Sequence, residues 1–303
     1  MTHGMSIAFI GFGEAARAFQ ESLAAEEPEL RFSAYDILLD APGSAGEMRA
    51  AMKERGIEIC DAPAGLSTAD WVISAVTADQ SGNAIDALSP HLKPGQLVID
   101  INSVSPQQKR ANAALVEQKG AGYLDMAVMA PVHPRKHRTP VLIAGASAEA
   151  LRARLDALGF DYAVAGESPG KATAIKMVRS LFVKGLEAIT VETLLAAEAS
   201  DCFDAVYQSL SRDFSGLGWP DFAAYEFERS LRHGRRRAAE MRESAATVEE
   251  LGLNGALATE IAEVQERIGR TQAPAPEAEA LRDGIREVLR GRLEQETGQE
   301  QKK

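Results

Sequence analysis

The sequence predicts an α/β domain built on a doubly wound, mostly parallel sheet, followed by an all-α C-terminal domain. Short apolar runs alternate with helix-like segments through the first half of the chain. The runs V-I-S-A-V and L-V-I-D-I are apolar almost throughout rather than alternating, as in strands covered on both faces of a parallel sheet. Beyond the turn cluster Gly166-Glu167-Ser168-Pro169-Gly170 no segment reads as a strand, and helix-forming stretches follow.

The elements are expected in this order. Residues 6–10 form a strand that ends on a glycine turn, and the alanine-rich residues 14–25 form a helix. Residues 31–35 are a second strand and 47–55 a helix. Strands at 57–59, 71–76 and 96–101 follow, then a helix at 106–118, strands at 123–128 and 141–144, and a helix at 151–158. Past the turn cluster, residues 172–198 are a long proline-free helix, with further helices at 203–214, 222–246, 255–268 and 277–293. T-Q-A-P-A-P at 271–276 marks a linker or sharp turn, and the polar residues 294–303 are expected to be a disordered tail. The chain thus divides into a first domain over 1–168 and a helical domain over 169–293 that begins with the long helix.

Bulk composition narrows the function classes. A length of 303 residues suits two domains, and 45% hydrophobic with 25% charged residues is ordinary for globular cores. A net charge of −11 repels phosphate backbones and argues against nucleic acid as a partner. The apolar stretch near Ile7 stops at Gly11, too short for a membrane span, and no basic leader with a cleavage site precedes it. Cys60 and Cys202 lie far apart without a CxxC partner, so no zinc site or disulfide framework is expected. No His/Asp/Glu cluster has metal-ligand spacing, and a cytoplasmic protein without a metal is the expectation.

The glycine turn Gly11-Phe12-Gly13-Glu14-Ala15-Ala16 follows a strand and opens a helix. The first glycine permits the tight turn, the second lets a pyrophosphate approach the backbone, and the third position needs a small residue for helix–strand packing. The helix end offers unpaired N–H groups to phosphates, so Glu14 does not exclude them. Asp36 closes the second strand twenty residues after Ala16, where an acid accepts from adenosine ribose hydroxyls. The pattern is that of a Rossmann domain, and an acid at that place repels a 2′-phosphate and favours NAD over NADP.

With these residues in view the chain resembles the β-hydroxyacid dehydrogenase superfamily, which includes 3-hydroxyisobutyrate and 6-phosphogluconate dehydrogenases. Four segments carry the likeness: the I-A-F-I-G-F-G-E-A-A turn, Val76-Thr77-Ala78-Asp79, Asp100-Ile101-Asn102-Ser103-Val104-Ser105-Pro106, and Gly170-x-x-x-x-x-Lys176-x-x-Arg179-Ser180. The resemblance implies that Val76, Thr77 and Asn102 belong to the cofactor side, that Ser103 orients substrate, and that Lys176 is the catalytic lysine. It also implies a helical domain that completes the site and a homodimer. Two departures mark an atypical substrate: Met129 stands where the family has a carboxylate-holding serine, and Arg179 and Ser180 replace two asparagines.

The residue chemistry agrees with a small anionic substrate. Lys176 sits among Ala172, Thr173, Ala174, Ile175, Met177 and Val178, and a lysine desolvated by such neighbours exchanges protons near neutral pH. Arg179 and Ser180 lie three and four residues on and are expected to share its helix face, while Lys184 and Glu187 are expected to pair with each other. In the helical domain Arg229, Arg232, His233, Arg235, Arg236, Arg237 and Arg242 concentrate positive charge. By the resemblance His233 or Arg236 reaches the substrate; the alternative is a solvated face pairing with Glu226, Glu228, Glu240 and Glu243. His133, His137 and Pro134-Arg135-Lys136 lie in a loop that either contacts an anion or is plain surface. The leading expectation is oxidation of a hydroxyl group with Lys176 as general acid/base. Imine or ketimine reduction on the same scaffold and non-catalytic dinucleotide binding are the alternatives.

Overall fold

The computed structural model describes residues 4–300, with side chains described to residue 295. The chain divides into two compact units, one up to Lys176 and one from Met177. In the first, eight strands form one sheet: β1 Ser6–Ile10, β2 Arg31–Tyr35, β3 Glu58–Ile59, β4 Trp71–Ser74, β5 Leu97–Asp100, β6 Gly122–Val128, β7 Val141–Ala144 and β8 Tyr162–Gly166. Their spatial order is β3-β2-β1-β4-β5-β6-β7-β8. Among the described residues only the β6–β7 pair is antiparallel. Helices α1 Glu14–Glu26, α2 Ala45–Glu54, α3 Ser81–Leu88, α4 Pro106–Glu117 and α5 Ala148–Ala157 connect them.

The strand sequences explain the two layers. Side chains alternate faces along a strand. Ile7 and Phe9 of β1 and Leu97 and Ile99 of β5 join one core, while Ala8, Ile10 and Val98 join the other. Every residue of β4 and β5 is buried, so the central strands have no solvent face. Helix α1 docks through Ala16, Phe19 and Leu23, spaced by three and four residues. Helix α4 starts where Pro106 occupies its first turn and the Ser105 hydroxyl accepts from Gln108 N at 3.3 Å.

The second unit is helical. Helix α6, Lys171–Ala199, begins in the sheet unit and continues into it, followed by α7 Phe203–Asp213, α8 Asp221–Glu250, α9 Ala256–Ile268 and α10 Leu281–Glu300. Its core holds Val191, Leu194, Phe227, Ile268, Ile285 and Val288, with a second cluster around Ala188, Ala238, Met241 and Ile261. Helices α8 and α9 meet through glycines: a Cβ on Gly269 would fall 2.5 Å from Arg235 N. Among the described residues no helix is long and apolar enough to cross a membrane.

Four expectations change. Strand β8 is not among the expected strands; Y-A-V-A-G is short, small and only partly buried, so it lacks the apolar signature of an inner strand. Helix α3 has only eight residues and escapes a periodicity reading. The segment expected as a disordered tail from residue 294 continues α10 to Glu300, and residues 301–303 lie outside the described residues. The loop around His137 docks onto α1 and α5. His137 is buried, its ring nitrogens lying 2.7 Å from Ser22 Oγ and 2.8 Å from Leu158 O, with its ring edge-on to Phe160. Burial pushes its imidazole below the usual histidine range. Lys136 and Arg138 pair with Glu21 and Glu26 of α1, while His133 and Arg135 are exposed.

Candidate cofactor and proton-transfer site

In a doubly wound sheet, ligands sit at the carboxyl ends of the strands where the order reverses, here between β1 and β4. Gly11 has φ +86° and its N–H donates to Tyr35 O at 2.8 Å. A Cβ there would fall 2.5 Å from Ala75 O, so only glycine fits. At Gly13 a Cβ would meet nothing within 4 Å, which leaves open space over the start of α1. Gly13 is also the N-cap, and no side chain caps the helix. The first-turn N–H groups are therefore offered to whatever fills that space. Glu14 is exposed, Ala15 half-buried and Ala16 fully buried against the sheet. The Phe12 side chain lies in the core, edge-on to Phe9, so only its backbone belongs to the turn.

Asp36 follows β2 and clasps this turn. Its Oδ2 accepts from Phe12 N at 2.6 Å and its Oδ1 from Leu38 N at 2.9 Å. A carboxylate has about four lone-pair sites, so capacity remains for ribose hydroxyls.

The ends of β4 and β5 are joined through Asn102. Its Oδ1 accepts from Val76 N at 2.7 Å, its Nδ2 donates to Ser74 Oγ at 2.9 Å, and its own N–H donates to Asp100 Oδ1 at 2.9 Å. The Asn102 side chain is buried and turned toward the β4 loop, so it holds Val76 in place rather than reaching outward. Thr77 is exposed beside it, and hydrogen bonds from Thr77 and Gln80 hold the Asp79 carboxyl below the usual range.

Ser103 follows Asn102 and accepts a 2.6 Å hydrogen bond from Lys176 Nζ. Lys176 is half-buried, while Ile175 and Val178 on either side are exposed; the expected apolar envelope is thus only partial. Met129 packs beside Ala127, Ala144 and Ala172, near the start of α6.

Reading the sequence missed the buried supports of this pair. Asp125 accepts from Gly170 N and Thr173 N, both at 3.0 Å, and from Thr173 Oγ1 at 2.7 Å. Lys109, fully buried, places Nζ 2.8 Å from Asp100 Oδ1 and 3.5 Å from Asp125 Oδ1. The available signal was an aspartate ending one apolar run and another inside the next, L-V-I-D and Y-L-D-M-A-V.

In the helical unit the expected residues separate. Arg179 is exposed, whereas Ser180 is buried and accepts from Lys184 Nζ at 3.2 Å. Lys184 and Glu187 do not pair with each other, because each turns to α8. Lys184 meets Glu240 at 2.6 Å; Glu187 accepts from Arg237 Nε at 2.6 Å and Gln265 Nε2 at 2.9 Å. Burial lowers the Lys184 ammonium despite Glu240. The basic stretch is likewise divided: Arg237 is buried on Glu187, Arg232 pairs with Glu228 at 3.4 Å, and Arg242 with Glu263 at 3.3 Å. His233 is half-buried and Arg236 exposed. Burial, then Arg229 and Arg236, push the His233 imidazole down. Among the described residues no group of three or more His, Cys, Asp or Glu is placed to hold a metal ion.

Residues 6–159 match the family described as the NAD binding domain of 6-phosphogluconate dehydrogenase, and residues 197–268 match a domain of unknown function, DUF1932. A conserved hypothetical protein from Sinorhizobium meliloti 1021 has a similar structure, 34% identical with a TM-score of 0.75 over 96% of both chains. A conserved protein of unknown function with structural similarity to 3-hydroxyacid dehydrogenases is 27% identical, with a TM-score of 0.68, over 87% of this chain and 96% of the other. The NAD-dependent L-serine dehydrogenase of Pseudomonas aeruginosa is 28% identical over 70% of this chain and 71% of its own.

Proposed function

The chain belongs to the β-hydroxyacid dehydrogenase superfamily, and we propose that it is an NAD-dependent dehydrogenase oxidising the hydroxyl group of a small anionic metabolite. The observation that carries this reading is the 2.6 Å hydrogen bond between Lys176 Nζ and Ser103 Oγ. It places a titratable amine beside a hydroxyl at the carboxyl end of β5. The uncapped start of α1, the open space at Gly13 and the Asp36 carboxylate fit a dinucleotide with a free 2′-hydroxyl. NAD, when bound, accepts a hydride from the carbon that bears the hydroxyl. Lys176 takes the hydroxyl proton in that direction and returns it in the other. Ser103, already a partner of Lys176, holds the substrate oxygen in line with the amine. The similarity to an L-serine dehydrogenase supports a β-hydroxyacid as the substrate class.

The test is K176A, assayed for NADH formation with L-serine, 3-hydroxyisobutyrate and sugar acids, and in reverse with a cyclic imine. Turnover is expected to fall by about 10²–10⁴-fold while NADH affinity, read by fluorescence, stays within a factor of two or so. Turnover at the wild-type rate would overturn the assignment.

We also propose a homodimer. Ile175, Val178, Phe182 and Ile189 follow one side of α6 and are exposed by 46%, 50%, 73% and 62%, an apolar stripe that a second copy would cover. Sedimentation is expected to give twice the chain mass; a monomer at micromolar concentration contradicts it.

A further inference from the structure

Three charged side chains of the sheet unit are fully buried at one place: Asp100, Lys109 and Asp125. The strand register brings the carboxylates together, because Asp100 of β5 pairs directly with Asp125 of β6. Two carboxylates at adjacent register positions repel, and Lys109 of α4 reaches both. Asp100 Oδ2 is satisfied separately, by Asn112 Nδ2 at 3.0 Å and Tyr123 OH at 2.7 Å.

Each carboxylate is then bonded close in sequence to one member of the Lys176–Ser103 pair. Asp100 Oδ1 holds the N–H of Asn102, the residue before Ser103. Asp125 holds the N–H groups of Gly170 and Thr173 and the Thr173 hydroxyl, so it caps the first turn of α6. Lys176 stands three residues past Thr173, on the same helix face. A buried ion triad adds little stability over apolar groups of the same volume. Its charge-assisted bonds are directional, however, and fix where each element begins.

We propose that the Asp100–Lys109–Asp125 triad is a positioning device that sets Lys176 Nζ against Ser103 Oγ. Ser103 is held through Asp100, and Lys176 through Asp125 and Thr173. The proposal rests on the reading of Lys176 as the proton-transfer group.

The experiment compares T173V, T173S and D125N with the wild type and with S103A. The Lys176 side chain is followed by NMR of lysine-labelled protein and assigned with K176R. T173V removes the hydroxyl that Asp125 accepts from, at constant shape. Its Lys176 resonance and titration midpoint are expected to move toward those of S103A, by about half a pK unit or more. Turnover is expected to fall about tenfold at unchanged NAD affinity. T173S keeps the hydroxyl and is expected to match the wild type; D125N is expected to move further than T173V. Wild-type Lys176 signals and turnover in folded T173V or D125N would overturn the proposal. So would equal displacement in T173S and T173V. Active K176A defeats the proton-transfer reading instead, and leaves the NMR comparison to decide positioning.

Discussion

Both units hold buried charge between converging elements, Lys109 in the sheet unit and Glu187 with Arg237 in the helical unit, but helix α8 also buries charge along a single face. In the sheet unit Lys109 lies between two carboxylates that strand pairing brings side by side, and Asn112 and Tyr123 complete Asp100. Donors and acceptors there come from two strands and a helix that converge. On α8 of the helical unit Glu226, Arg229 and Ser230 sit at i, i+3 and i+4. Glu226 Oε2, Arg229 Nε and Ser230 Oγ have no hydrogen-bond partner among the described residues. Burial pushes the Glu226 carboxyl up to about 7, with Arg229 opposing only in part. A charge buried by converging elements is thus held, whereas one buried along a single helix is merely tolerated.

Neutralising each charge should therefore act with opposite sign. Lys109→Met leaves two buried carboxylates facing each other and is expected to destabilise the sheet unit by about 3–5 kcal/mol in urea melts. A loss below about 1 kcal/mol would show that the triad carries no uncompensated charge once broken. Glu226→Gln should do the reverse. The folded chain raises the Glu226 pKa above its ordinary 4.5, so it holds the proton more tightly than the unfolded chain between that value and about 7. Stability from this group is complete below the ordinary value and is lost as pH rises through this window. E226Q is expected to match the wild type at pH 4 and exceed it at pH 8, by roughly 1 kcal/mol after solvent screening. Equal stability at both pH values would place Glu226 on the same footing as the exposed glutamates.

The sheet unit was more legible than the helical one, and for the same reason. Strand ends are punctuated by residue type: Gly11 stops β1, Asp36 follows β2, and Asn102-Ser103 follow β5. Position in the chain therefore maps onto position around the sheet's carboxyl edge. Strand β8 and helix α3 escaped because they are short and weakly patterned. On α6 and α8 the spacing named the residues but not their partners. Lys184 and Glu187 stand three apart, which suggests a pair within the helix, yet each meets a residue of α8 instead. His137 read as part of a basic surface loop because nothing local records that Ser22, Leu158 and Phe160 enclose it.

The sequence alone determined the glycine turn, the acid after β2, the two-layer apolar pattern and the long helix carrying Lys176. Each is written in local spacing and residue size, and backbone sterics act over a few residues. Only the tertiary structure decided what Lys176 touches and what supports it. The hydrogen bond to Ser103 spans 73 residues, and the Asp125 cap on Thr173 spans 48. Such contacts depend on strand register and on where a helix begins, and those are settled when separate elements pack against one another.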